Sequence, residues 1–371
     1  MRILVTGAAG YIGSALARAL AARGHRVTLT GFSAHPGREE NGVEVRPMGP
    51  PATSQGAARR RARDALRLAA AACRIDLAPY DVVETASTPF AHLFPLALRC
   101  RLRRQPLLVT WHEYWGPYWR GVAGGAWRGF AVAEWLGAQL GTSALAVSDL
   151  TAARLRARRR RGEPLVMPNG VPLDAIRAAA AAAAGGGPPL INAGRLRADK
   201  RLDLLIEAVA RLAPRHPGPL LTLIGDGPER GRLEQLAEAL GISERVIFRG
   251  RLATSREVWA EMGRAQIAVQ PSAREGFGLF ALEALAAGLP VVYCESPDSA
   301  VGELVRPGRE GLVTPPDPVA LAQALEQLLG DPAERARLRA AARARAEDYD
   351  WGPLAARFEG LLDSLVRPTD D

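Results

Sequence analysis

A chain of 371 residues is long enough for two domains with separate cores, and 48% apolar residues mark it as globular rather than disordered. Its 48 basic and 39 acidic residues leave a formal net charge of +9. Three cysteines, Cys73, Cys100 and Cys294, lie far apart without metal-ligand spacing, which excludes a disulfide framework and fits a reducing cytosol.

The chain opens on Met1-Arg2-Ile3-Leu4-Val5-Thr6, a short apolar strand that meets a glycine turn and not the apolar region of a signal peptide. Short apolar runs then alternate with helical patterns, which predicts two doubly wound parallel α/β units. Strands are expected at 3–6, 27–30, 43–45, 82–84, 107–110, 145–147 and 164–167, then at 190–192, 220–224, 246–249, 267–270, 291–293 and 311–314. Helices such as 15–22, 202–213, 232–240 and 279–287 fall between them. No stretch of about 20 apolar residues is free of charge, so no membrane span is expected. The most apolar one, 130–150, is interrupted by Glu134 and Asp149.

Pro168-Asn169-Gly170-Val171-Pro172, an alanine run at 178–184 and Gly185-Gly186-Gly187-Pro188-Pro189 interrupt both periodicities and read as a linker. The expected organisation is a first domain at 1–167, a linker at 168–189, a second domain at 190–350, and a tail at 351–371 whose amphipathic helix packs back toward the first domain. Cut before Pro168, the first part carries a net charge of +13 and the remainder −4. Three arginine runs, at 59–63, 99–104 and 158–161, supply much of the excess. A basic first domain points to an anionic partner such as a membrane surface; no nucleic acid is expected.

Gly7-Ala8-Ala9-Gly10-Tyr11-Ile12-Gly13 follows a strand and opens a helix, so its amides are placed to face a phosphate. The spacing resembles the NAD-binding turn of nucleotide-sugar epimerases and short-chain dehydrogenases. That family also requires a tyrosine with a lysine four residues on, and no tyrosine here has one. The second strand ends in Thr30-Gly31-Phe32-Ser33, without the acidic residue that binds a ribose. An NAD-dependent epimerase or dehydrogenase remains the alternative enzyme reading, and a non-catalytic sugar-nucleotide or lipid-binding protein the alternative outside catalysis.

The second half carries more chemistry. Lys200 is the single lysine of the chain, and its compact ammonium acts on phosphate as a point charge where arginine offers a planar fork. It lies a short loop beyond Gly194-Arg195, so two cations can grip a diphosphate. Gly225-Asp226-Gly227 turns a strand into a helix, and Gly250-Arg251-Leu252 ends another strand where backbone can meet a flat base. Most specific is Arg274-Glu275-Gly276-Phe277-Gly278-Leu279, which sets a carboxylate before a glycine-flanked helix start whose amides can bind an anion or sugar hydroxyls. Glu283 follows about two helical turns later, so both carboxylates can border one cleft. Asp348-Tyr349-Asp350 reads as a helix cap, and no acidic cluster has the spacing of a metal site.

At these residues the chain resembles the GT-B glycosyltransferases of the retaining family called glycosyl transferases group 1 (glycosyltransferase family 4), strongly over about 190–290 and more loosely elsewhere. The resemblance implies two Rossmann-like domains facing a central cleft. It implies a hexosyltransferase that uses a UDP or GDP sugar, retains anomeric configuration and needs no metal or cofactor. By it, Arg195 and Lys200 hold the donor diphosphate and Glu275 the donor sugar. Gly276, Phe277, Gly278 and Leu279 support sugar and phosphate, Glu283 binds the ribose, and Arg251 and Leu252 lie beside the base. Gly10 resembles the first-domain loop that closes over the diphosphate, although the usual glycine pair is missing.

In the first domain, Thr110-Trp111-His112-Glu113-Tyr114-Trp115-Gly116-Pro117-Tyr118-Trp119 begins a region with five of the seven tryptophans, at 111, 115, 119, 127 and 135. Such side chains fill cores, stack on sugars or sit at bilayer interfaces. His112 follows a strand end, where a histidine can orient or deprotonate an acceptor hydroxyl, and the resemblance puts its active-site histidine there. A lipid-linked, saccharide or small-molecule acceptor is expected, with the protein in the cytoplasm or at the inner membrane face.

Overall fold

The computed structural model describes residues 1–6, 11–32, 37–38, 42–49 and 62–366. Two compact units emerge, one of Met1–Gly170 with Trp351–Asp371, the other of Val171–Asp350.

The sheet of the first unit contains β1 (Arg2–Thr6), β2 (Arg26–Phe32), β3 (Gly37–Arg38), β4 (Glu44–Gly49), β5 (Val82–Ala86), β6 (Leu107–Trp111), β7 (Ser143–Ala146) and β8 (Leu165–Val166), in the order β3-β4-β2-β1-β5-β6-β7-β8. All neighbours are parallel except the short β3, which runs antiparallel to β4. Successive side chains of a strand point to opposite faces, and the two cores divide accordingly. Leu4, Val83, Val109 and Ala146 enter one core, whereas Ile3, Val5, Val82, Leu108 and Leu145 enter the other. The second core is closed by Leu16 and Leu20 of helix Tyr11–Ala22 and by Ala355, Phe358 and Leu362 of helix Trp351–Val366. Apolar positions three and four apart place that last stripe on one face.

The second unit is an all-parallel six-stranded sheet of β9 (Leu190–Ala193), β10 (Leu221–Ile224), β11 (Val246–Gly250), β12 (Ile267–Gln270), β13 (Val291–Cys294) and β14 (Gly311–Thr314), in the order β11-β10-β9-β12-β13-β14. β10, β12 and β13 are buried along their whole length, as strands covered on both faces must be. In each sheet the order reverses once, between β1 and β5 in the first and between β9 and β12 in the second. Loops diverge there at the carboxyl ends of the strands and leave a crevice for ligands.

The structure differs from the sequence reading at two points. Part of the expected linker forms helix Leu173–Ala182, which buries Leu173, Ile176, Ala179 and Ala180 in the second unit. Small alanines let it approach closely: a Cβ on Gly263 would collide with the Ala180 carbonyl. Strand β3 was not expected, since two residues carry no periodicity. Helix Trp127–Ala138 occupies the segment interrupted by Glu134, whose carboxylate has a structural use described below.

Candidate functional site

At the switch point of the second unit, the loop after β9 brings in Arg195 and Lys200, and the loop after β12 brings in Glu275. The Lys200 ammonium donates to Glu275 Oε1 at 2.5 Å, and Gln270 Nε2 donates to the same oxygen at 2.7 Å. Two residues 75 apart in sequence thus meet as an ion pair, with the side chains 22% and 13% exposed. An amine on a carboxylate, with an exposed arginine on the same loop as the amine, is a site that can exchange one anion for another. The pair is held from behind, because Ala273 N donates to Asp199 O at 2.9 Å, Glu275 N to Asp298 O at 3.1 Å, and Ala300 N to Glu275 O at 2.9 Å.

The Arg195 loop is shaped by backbone contact. Gly194 N donates to Ile224 O and Leu196 N to Asp226 O, at 2.9 and 3.0 Å. Gly225, with φ +125°, lies so close to the Gly194 carbonyl that any Cβ there would overlap it. Gly278, with φ +98°, is the N-cap of helix Leu279–Ala287, and a Cβ on it would approach Val301 Cγ2 to 3.0 Å. Only glycine adopts that conformation readily, and it leaves the first helical amides beside Glu275. Phe277 is buried and packs edge-on against Tyr349, with ring centroids 6.1 Å apart. Arg251 and Leu252 follow β11, after Gly250 at φ +69°.

Glu283 points elsewhere than Glu275: its Oε1 accepts from Trp259 Nε1 at 3.0 Å. Trp259 and Gln270 escaped the sequence reading, since nothing local marks a tryptophan or glutamine whose partner is a carboxylate on another element. Asp350 accepts from the Leu173 amide at 3.4 Å, at the start of helix Leu173–Ala182, an element other than the last helix that it precedes in sequence. Among the described residues, no group of three or more His, Cys, Asp or Glu is placed to hold a metal ion.

In the first unit, His112 follows β6 directly and lines a cavity with Glu84, Thr110, Asn169 and Trp351. Ile12 and Gly13, the last two residues of the Gly7–Gly13 motif, also line it. Gly10 itself lies outside the described residues. Burial lowers the His112 imidazole to about 4, so the ring is neutral near pH 7. The loop after His112 is anchored by the fully buried Glu134, which accepts from the amides of Trp115 and Gly116 at 2.8 and 2.7 Å and from Trp119 Nε1 at 3.1 Å. Trp111 is fully buried, so for this residue the core role holds. Two of the basic runs are partly structural. Arg99 donates to the carbonyls of Ala72 and Ile75, and Arg159 to those of Ala138 and Leu140. Arg59, Arg60 and Arg61 lie outside the described residues.

Two parallel α/β units with ligand-type loops at their switch points define the GT-B architecture of glycosyltransferases. The comparisons agree. Over 98% of this chain and 99% of the other, it superimposes on a sucrose-phosphate synthase from Thermosynechococcus elongatus with a TM-score of 0.80 and 23% identity. Residues 178–345 match the family model of glycosyl transferases group 1 and residues 13–175 that of glycosyltransferase family 4.

Among curated relatives, a glycogen synthase from Mycobacterium tuberculosis (strain ATCC 25618 / H37Rv) is 40% identical over 168 residues, 45% of this chain and 40% of that protein. A GDP-mannose-dependent alpha-(1-6)-phosphatidylinositol dimannoside mannosyltransferase from M. tuberculosis (strain ATCC 25177 / H37Ra) is 35% identical over 180 residues, 48% of this chain and 45% of that protein. The chain thus spans under half the length of these two relatives.

Proposed function

We propose that the protein is a glycosyltransferase that moves a hexosyl group from a nucleotide-diphosphate sugar to an acceptor hydroxyl, with retention of configuration and without a metal. The observation that carries this reading is the Lys200–Glu275 pair at the switch point of the second unit. When donor binds, the Lys200 ammonium exchanges its carboxylate partner for diphosphate oxygens, and Glu275 turns to the hydroxyls of the donor sugar. The bond from the anomeric carbon to the diphosphate oxygen breaks, and Arg195 and Lys200 stabilise the charge left on that oxygen. The acceptor oxygen forms the new bond and gives its proton to the departing diphosphate oxygen. Helix amides from Gly276 to Leu279 support sugar and phosphate, Glu283 holds the ribose against Trp259, and Arg251 with Leu252 flanks the base. His112 orients the acceptor hydroxyl.

A thermal-shift screen of UDP and GDP sugars, followed by turnover of the best one, tests the reading. Wild-type protein is expected to gain stability with one nucleotide sugar and to release its nucleotide. Lys200→Ala should cut turnover by about 100-fold or more while melting normally, and Lys200→Arg should also impair it, because a planar fork replaces a point charge. Absence of a shift with every nucleotide sugar, or full activity in both variants, would sink it. Titratable NAD binding would favour the epimerase alternative instead.

The acceptor is proposed to be lipid-linked and met at an anionic membrane surface. Phe130, Val132 and Leu136 are exposed on helix Trp127–Ala138, and the Arg120 guanidinium lies 4.5 Å from the Trp127 ring centroid. Apolar side chains beside arginine-capped indoles suit the boundary between acyl chains and anionic headgroups. Among the described residues no helix is long and apolar enough to cross a membrane.

A further inference from the structure

β5 is buried from end to end, yet its central residue is a glutamate. Glu84 is 3% exposed. Its Oε1 accepts from Thr110 Oγ1 at 2.6 Å, one strand away, and its Oε2 has no hydrogen-bond partner among the described residues. Two more residues that line the same cavity carry a buried polar atom in that condition, His112 at Nδ1 and Trp351 at Nε1. Orphaned polar atoms in an interior cost free energy unless something pairs with them, and three around one space call for a common partner.

The cavity measures about 40 Å³, enough for a water molecule or one functional group. Of its other lining residues, Ile12, Leu16, Leu354 and Phe358 are apolar and Asn169 is polar, and His112 is the second titratable group that lines it.

We propose that Glu84, His112 and Trp351 form a subsite for a single O–H group, with Glu84 the positioning residue that fixes this oxygen against His112. The inventory balances. Trp351 Nε1 can only donate, a protonated Glu84 donates from Oε2, and a neutral imidazole can accept at Nδ1. A hydroxyl or water takes two hydrogen bonds and gives one, so it satisfies all three atoms at once. Burial raises the Glu84 carboxyl to about 7 and keeps His112 neutral, which supplies these protonation states at and below neutrality. The O–H group comes either from a resident water or from the acceptor alcohol, and the second source rests on the proposed glycosyl transfer.

Crystal structures of the full chain, alone and with octyl glucoside as probe acceptor, distinguish the sources. An ordered oxygen within hydrogen-bond distance of Glu84 and His112 in both marks a resident water. Replacement of that oxygen by a probe hydroxyl marks the acceptor. No oxygen beside Glu84 in either crystal overturns the proposal.

Infrared difference spectra give a second readout that needs no activity. A protonated carboxyl band should bleach between pH 6 and pH 8 in wild type and be missing in Glu84→Gln, and an unchanged band in that variant also overturns the idea. In transfer assays, Glu84→Leu should raise the KM for octyl glucoside by about 10-fold with little change in the KM for the donor. Glu84→Gln, which keeps a donor beside His112, should match wild type at pH 6 and lose the rise in acceptor KM that wild type shows above pH 7. Where the crystals show a probe hydroxyl in place of the water, equal acceptor KM in wild type and the folded Leu variant counts against the acceptor as the source. If no nucleotide sugar binds, the glycosyltransferase reading fails while the crystals and spectra still decide the subsite.

Discussion

Glu84 and His112 share a cavity and titrate in opposite senses, which has a measurable effect on stability. Glu84 is raised to about 7 from a usual 4.5, so between these values the folded chain holds a proton that the unfolded chain has lost. Stability contributed by Glu84 therefore falls as pH rises from about 4.5 to 7. His112 is lowered to about 4 from 6.5, so its contribution falls as pH drops through that window. Where the windows overlap, about 4.5 to 6.5, the two slopes oppose each other, each up to about 1.4 kcal/mol per pH unit. Glu84→Gln should expose the histidine slope, with stability rising toward pH 6.5. His112→Gln should expose the opposite slope. Denaturant melts across this range check both, and a parallel pH dependence in the two variants would contradict the assignment.

At the scale of elements, helix Trp351–Val366 follows the second unit in sequence but completes the core of the first. Phe358→Ala should cost about 3–5 kcal/mol in the first unit, read as a lower denaturation midpoint with nucleotide-sugar binding retained. The turn Gly225-Asp226-Gly227 should behave differently. Gly225→Ala would push back the Gly194 carbonyl and with it Arg195, so nucleotide affinity should drop by about 10-fold or more along with stability. Isothermal titration of the two variants separates these effects.

Much of this layer was legible in the sequence. Strands buried on both faces announce themselves as short apolar runs, and β12 and β14 fall where the runs predict. Lys200, Glu275 and the Gly276–Leu279 turn stood out because lysine is rare here and glycines flank a helix start. Glu84, Glu134, Gln270 and Trp259 did not stand out. Each acquires its meaning from a partner on another element, Thr110 for Glu84 and the Trp115–Trp119 loop for Glu134, and no local spacing records such a meeting. Helix Leu173–Ala182 was hidden by flanking prolines and glycines that read as punctuation.

For the molecule as a whole, charge and core organisation divide along the chain. The part before Pro168 carries the positive excess, and some of its arginines cap helix ends while others, such as Arg120 and Arg128, lie over the Trp127 ring. Vesicles containing an anionic phospholipid should retain the protein at low salt and release it as ionic strength rises, while neutral vesicles should not retain it. A sedimentation assay with Phe130→Ser and Leu136→Ser as controls checks this, and undiminished binding by the double variant would place the contact elsewhere.

A chain with one lysine has one ε-amine, and here that amine rests on Glu275 inside the site. Amine acylation should therefore give a single side-chain adduct besides the amino terminus, and lysine-specific proteolysis a single cut. Both reactions become direct occupancy gauges. A bound diphosphate that claims the Lys200 ammonium should slow them in proportion to the fraction of protein loaded, with no label or engineered reporter.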